Sequence, residues 1–266
     1  MQRIQREIVI WKAAEHPNIL QFYGYCIMDE KPLLISPWCE KGNLSSYLGE
    51  HPGLTEVQKL NVLRGAARGL AHLHCLEPPI CHGDIKPQNI IINDELEAVL
   101  CDFGISRVMN CEAGTGMTTL NTATGTQGYQ AKELFQPKPR PTDMSDIYAF
   151  GGLILATMTG NPPFYKSLAN PNYIVVLVFT DVTPDPNDHP GLPSTNMLWG
   201  LMKRCWDPNP DTRPPMVQVL AEVCTANAII QHLLNAFFSV SSWRRKSNAS
   251  LHTERPPSPF AFLHEL

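Results

Sequence analysis

At roughly 150 residues per domain, a chain of 266 residues holds one or two domains and a sizeable core. Its 43% hydrophobic and 17% charged residues, with a net charge of −4, exclude a chain disordered throughout. They also exclude the basic stripe of a nucleic-acid binder, because the one dense basic cluster, Arg244-Arg245-Lys246, falls near the C-terminus in what the composition marks as a solvated tail.

The first residues, Met1-Gln2-Arg3-Ile4-Gln5-Arg6-Glu7, mix charges without a continuous apolar stretch, so no secretory signal is expected. The longest apolar helical run, residues 147–158, is well short of the ~20 residues that span a bilayer, so no membrane span is expected and the chain is placed in the cytoplasm. Eight cysteines without a C-x-x-C pair or metal-ligand spacing predict reduced, mostly buried thiols, with no zinc and no disulfide.

In chain order, residues 4–14 predict a helix that stops at His16-Pro17. Its apolar residues Ile4, Ile8 and Trp11 are expected to form an exposed stripe, because no strands that would cover them precede them in the chain. Residues 20–27 and 32–36 predict two strands around the turn Met28-Asp29-Glu30-Lys31. Residues 55–75 predict the clearest helix: Thr55-x-x-Gln58 forms a capping box, and Val57, Leu60, Leu63, Ala67, Leu70 and Leu73 recur every three to four residues. Residues 90–93 and 98–101 predict a small hairpin around Asp94-Glu95-Leu96-Glu97, and residues 147–158 a buried core helix. Fourteen of the 24 prolines lie between Pro137 and Pro215, which predicts short helices joined by long connections there. From Ser241 the composition turns to Ser, Arg, Lys and Pro, so residues 241–266 are expected to be a flexible tail.

The segment His82-Gly83-Asp84-Ile85-Lys86-Pro87-Gln88-Asn89, followed by a hairpin and Asp102-Phe103-Gly104, resembles a protein kinase. Three further blocks in the same order carry the resemblance from about Arg3 to Cys224: Gly125-Thr126-x-x-Tyr129-x-Ala131-x-Glu133, Ser145-Asp146-Ile147-Tyr148-Ala149-Phe150-Gly151, and Cys205-Trp206-x-x-x-Pro210-x-x-Arg213-Pro214. It implies an α+β, two-lobed fold over residues 1–240, with a reduced small lobe and hinge in residues 1–40 and a mostly helical large lobe in residues 41–240. Phosphoryl transfer needs positioning and charge more than covalent help. The resemblance assigns Asp84 to accept the proton of the substrate hydroxyl, Lys86 to neutralise the γ-phosphate, Thr126 to hydrogen-bond across both, and Asn89 and Asp102 to hold Mg²⁺ on ATP. It also implies a small gatekeeper at Ser36, adenine against the backbone of Pro37 and Cys39, and Ile91 beneath the ring. Asp146 is expected to anchor the backbone around His82, and Glu133 to pair with Arg213.

Small-molecule phosphotransferases share His-Gly-Asp-x-x-x-x-Asn, but Lys86, the Asp-Phe-Gly and the two later blocks favour a kinase of proteins. Asp-x-Lys-x-x-Asn with Thr126 resembles the serine/threonine pattern, and Cys205-Trp206 the tyrosine-kinase-like branch. The implied partners are protein substrates and a regulatory or scaffold protein.

Three departures qualify this. Glu7 stands where the family's helix glutamate pairs with a strand lysine beside the nucleotide, yet only six residues precede it, and no Gly-x-Gly-x-x-Gly occurs in the 266 residues. The expectation is therefore a chain without turnover on its own, with a non-catalytic scaffold as the rival to an enzyme. Gly83 replaces the arginine that reads a phosphorylated activation loop, although Thr118, Thr119, Thr122 and Thr124 lie in that segment, and Lys132 replaces the proline of Ala-Pro-Glu.

Overall fold

The computed structural model describes residues 2–29, 31–103, 106–108, 126–136 and 140–249. The chain forms two compact units, Met1–Asn227 and Ala228–Leu266. Gly104, Gly125, Cys111 and the four activation-segment threonines lie outside the described residues, as do residues 250–266 of the expected tail.

Helix α1 (Gln2–Ala13) ends before Pro17, whose ring disfavours helical backbone at His16. The expected exposure of Trp11 is corrected: it is only 8% exposed, packed 5.1 Å from the ring of Phe22 and 5.9 Å from that of Phe103. Its indole N–H donates to Leu20 O. Ile8 is half-buried, and the side chain of Ile4 lies outside the described residues. Val9 is the exposed large apolar residue of α1 among those described, and a further exposed apolar surface is on the hairpin of β1 (Gly24–Met28) and β2 (Lys31–Ile35), where Tyr25, Ile27, Met28, Leu33 and Ile35 all face solvent. The first strand begins at Gly24, not at Leu20. Ile19 bridges Leu100 in parallel and the N–H of Leu20 donates to Leu100 O at 2.8 Å, so the start of this stretch pairs with the large lobe, while by Tyr23, whose N–H donates to Ile35 O at 2.9 Å, it has turned to β2.

After α2 (Leu44–Glu50), capped by Asn43, helix α3 (Glu56–Cys75) starts at the predicted capping box: Thr55 Oγ1 accepts from Gln58 N, and Gln58 Oε1 accepts from Thr55 N. Its buried face carries Leu60, Leu63, Leu70 and Leu73. Gly69 is on the same side because a Cβ there would lie 2.4 Å from Asn18 O, so the bare helix surface lets the segment after His16 cross closely.

The large lobe's strands are short: β3 (Ile80–Cys81), β4 (Ile90–Ile92), β5 (Ala98–Leu100) and β6 (Arg107–Val108). β4 pairs antiparallel with β5, Ile91 opposite Val99, and β3 pairs with β6. Helix α4 (Asp143–Thr159) is buried from Ser145 to Met158, capped by Thr142 and stopped at Gly160 with φ 77. It extends four residues ahead of the predicted core run because the Thr142–Ser145 capping box starts it there. α5 (Pro171–Phe179) and α6 (Leu198–Cys205) follow in the proline-rich region.

Helix α7 (Met216–Ala249) crosses from the first unit into the second. In the first unit, Met216, Val219, Val223 and Ala226, at helical spacing, are buried. Helix runs on past Ser241 to Ala249, within the expected tail. Among the described residues the stretch Met216–Ala236 is long and apolar enough to cross a membrane, but its length and composition do not establish a span, because a core helix shares them. Of the seven described cysteines, all free, only Cys81 and Cys205 are buried, so the thiols are not mostly buried.

Candidate active site

The loop between β3 and β4 is fixed from beneath by one buried carboxylate. Asp146, in the first turn of α4, accepts from the backbone N–H of His82 at 2.7 Å and of Gly83 at 2.8 Å, and its Oδ2 also meets His74 Nε2 at 3.0 Å. Burial alone would raise the Asp146 carboxyl, but the His74 hydrogen bond, the positive charge that His74 and His82 carry when protonated and the Gly83 N–H outweigh it and hold it below its ordinary value. The loop is fixed again through His82, whose Nε2 lies 3.0 Å from Cys101 O and whose Nδ1 accepts from Asp84 N at 3.3 Å. In the neutral ring that accepts at Nδ1, the proton is on Nε2 and Cys101 O receives it. Ser106 Oγ donates to His82 O at 2.9 Å. The imidazole stands 5.4 Å from Phe103, which is fully buried.

On this support four predicted residues converge. Lys86 Nζ lies 2.6 Å from Asp84 Oδ2 and donates to Thr126 Oγ1 at 2.8 Å, and Thr126 Oγ1 donates to Asp84 Oδ1 at 3.1 Å. The direction is forced: an ammonium only donates, so the threonine hydroxyl accepts from it and passes its own proton toward the carboxylate. Asn89 Nδ2 donates to Asp84 O at 2.8 Å and to Asp84 Oδ2 at 2.9 Å. Both amide protons are thereby committed, which leaves Asn89 Oδ1 as that side chain's ligand atom. Asp102 is exposed, with left-handed backbone at φ 65, a conformation aspartate tolerates better than most residues. Two oxygen donors of this kind suit a hard cation such as Mg²⁺. Behind Asp102, burial first and then the Asp102 charge push the Cys101 thiol up to about 12, so it stays protonated and inert.

The predicted nucleotide residues are less unified. Pro37 and Cys39 line a cleft of about 820 Å³ together with Trp11, Phe22, the 86%-exposed Trp38 and Val99. Ser36 and Ile91 are half-buried and do not line it. Ile91 lies on β4, bridged to Asn43, while Ile92 N donates to Gly42 O at 2.9 Å, which ties the end of the hinge to the large lobe. Glu7 is half-buried on α1. Burial, then Asp94 and Glu95, raise the Cys39 thiol.

Away from the loop, Arg213 grips Glu133 with both arms, Nη1 to Oε1 at 2.6 Å and Nη2 to Oε2 at 3.0 Å, as the sequence led us to expect. It also donates to Met144 O and Asp207 O and lies 5.2 Å from the Tyr148 ring. Lys132 pairs with Asp181 at 2.6 Å. Sequence reasoning missed His74, Ser106 and the two carbonyls on Arg213, since no local spacing joins residues so far apart in the chain.

The model of the protein kinase domain matches residues 1–224. Among similar proteins, a receptor-like protein kinase of Arabidopsis thaliana is 31% identical over 230 residues, covering 80% of this chain and 50% of that protein. The LRR receptor-like serine/threonine-protein kinases RGI2 and RGI1 of the same plant are 30% identical over 233 residues and 33% over 218. These alignments cover 82% and 77% of this chain, but only 20% and 19% of those proteins. The chain thus spans half the length of one relative and about a fifth of the other two. With the family model covering the loop, its Asp146 anchor and the Glu133–Arg213 pair, the chain belongs to the protein kinase family, and its α+β architecture of a small lobe and a larger helical lobe is that family's fold.

Proposed function

We propose that this chain carries the catalytic apparatus of a serine/threonine kinase of the tyrosine-kinase-like branch, transferring the γ-phosphate of ATP to hydroxyls of protein substrates. The observation that carries the reading is the closed set Asp84, Lys86, Thr126 and Asn89. An ionised carboxylate offers about four lone-pair positions. Lys86 and Asn89 occupy Oδ2 and Thr126 occupies one position on Oδ1, so one acceptor position of Oδ1 is left for an incoming hydroxyl. Asp84 orients that hydroxyl and takes its proton, and Lys86 keeps a positive charge beside the acceptor as negative charge develops. Asn89 Oδ1 and the Asp102 carboxylate would hold Mg²⁺, which when bound neutralises phosphate charge on ATP.

Thr126 favours serine and threonine over tyrosine as acceptors, as the motif resemblance and the names of the two serine/threonine-kinase relatives do. A second reading, a binding scaffold without turnover, is favoured by one relative: a leucine-rich repeat receptor-like protein kinase of Arabidopsis thaliana named probably inactive, 34% identical over 168 residues and 61% of this chain.

Transfer of radiolabelled phosphate from ATP to a generic protein substrate, measured beside nucleotide affinity, tests the two. Asp84→Asn is expected to lower turnover by ~10² to 10⁴ while nucleotide affinity holds. Measurable transfer that Asp84→Asn leaves intact overturns the assignment, and no transfer from either protein supports the scaffold.

A further inference from the structure

We propose that a second cavity, between α3 and the β4–β5 turn, binds a phosphomonoester that carries a cationic neighbour, with Arg64 and Arg68 as its phosphate-binding cations. The cavity measures about 290 Å³, close to the lower end of the ~300 to 1,000 Å³ usual for small-ligand sites. It shares no lining residue with the Asp84 cluster, and the proposal stands whether or not the chain turns over ATP.

Its two walls have opposite character. Arg64 and Arg68 stand one helical turn apart on α3, where like charges repel, and among the described residues neither forms an ion pair. Gln58, on the same wall, spends its Oε1 on Thr55 N at 2.8 Å and the Thr55 hydroxyl at 3.0 Å, so its amide N–H groups remain. Asn61, also on this wall, spends its Oδ1 on Asn227 Nδ2 at 2.8 Å, so the polar side chains that α3 presents here are left with donors. Opposite it, the turn brings Glu95 and Glu97, and Asn18 spends its Nδ2 on Ala98 O at 3.0 Å, leaving Oδ1. That wall is composed of acceptors.

Two guanidinium groups and an amide exceed what the two oxygens of a carboxylate can satisfy, whereas a phosphomonoester brings three acceptor oxygens and up to two charges. The acidic wall would repel a bare dianion and attract an ammonium or guanidinium held beside it. The ligand chemistry is thus a phosphoryl group next to a basic group, as in a phosphoserine flanked by lysine, or in the small amino acid O-phosphoserine.

Calorimetric titration of the purified 266-residue chain at low salt, with a phosphoserine–lysine peptide, its unphosphorylated twin, O-phosphoserine and inorganic phosphate, tests this. The phosphopeptide should bind, Arg68→Ala should weaken it about tenfold or more, and Glu95→Gln with Glu97→Gln should weaken the lysine-bearing peptide but not inorganic phosphate. Asp84→Asn should leave it unchanged. Peptide much tighter than O-phosphoserine identifies a protein-borne phosphate; equal affinities identify a metabolite. Equal binding of the unphosphorylated twin, affinity indifferent to both Arg68→Ala and Arg64→Lys in chains with unaltered circular dichroism, or no binding of any phosphate probe at millimolar concentration overturns the proposal.

Discussion

Arg213→Ala tests how the large lobe is held together. The Arg213 side chain is fully buried and that of Glu133 is 20% exposed, so the pair is nearly sealed from water. Truncation strands the Glu133 carboxylate, leaves Met144 O and Asp207 O without their guanidinium donor, and removes the cation from the Tyr148 face. Halving a buried pair costs ~3 to 5 kcal/mol, and the partial access of Glu133 to water places this one near ~3. At ~2 to 4 °C per kcal/mol for a domain of this size, the melting temperature should fall by about 6 to 12 °C. Urea unfolding of the wild type, Arg213→Ala, Glu133→Gln and the double variant measures it. The double variant should cost less than the sum of the singles, because no orphaned carboxylate remains. A loss below ~1 kcal/mol for Arg213→Ala, or strict additivity in the cycle, would refute the reasoning.

Thr126→Ser keeps the hydroxyl relay and should retain most turnover in the radiolabel assay, whereas Thr126→Val, nearly the same shape, should lose ~10-fold or more because Lys86 and Asp84 lose their shared partner. Asp146 has a folded carboxyl held below its unfolded value, so its contribution to stability is complete above about pH 4 and is lost as pH falls through the folded value; Asp146→Asn should flatten the acid limb of a stability–pH curve measured by urea unfolding. Gly69→Ala should destabilise by ~1 to 3 kcal/mol in the same measurement despite alanine's better helix propensity, since its Cβ would lie 2.4 Å from the backbone oxygen of Asn18, which has no flexible end to move.

Legibility in the sequence tracks how locally each feature is determined. The α3 capping box and the β4–β5 hairpin depend on neighbours within a few residues, so spacing alone located them. Asp84, Lys86 and Asn89 sit within one loop and were found as one motif, and Thr126 came from a second motif 40 residues beyond Lys86. The residues that hold the loop are a different matter. His74 reaches Asp146 across 72 positions and Ser106 reaches His82 across 24, and nothing in either neighbourhood marks them out. The start of β1 is hidden for the same reason. A stretch such as residues 20–23 reads as strand whether its partner is the next strand or β5, and here Leu20 bonds to Leu100 while Tyr23 bonds to Ile35 of β2.

Trp11 shows why a local argument about exposure fails at a boundary between lobes. Its burial is not legible locally because its partners are not on α1: Phe22 follows by eleven residues and Phe103 belongs to the Asp-Phe-Gly segment. The same contact connects two parts of the site. Phe103, fully buried, is touched on one side by Trp11 and on another by His82, whose ring is itself bonded to Cys101 O and Asp84 N. Asp102 is the residue before Phe103, so its position is set by α1 through Trp11 and by the Asp84 loop through His82. A close-packed interior resists moving one of these groups without the others. The Asp102 and Asp84 carboxylates are therefore positioned by one packed unit, whose parts, Trp11, Phe22, the His82 loop and residues 101–103, come from four stretches of chain that only the fold brings together.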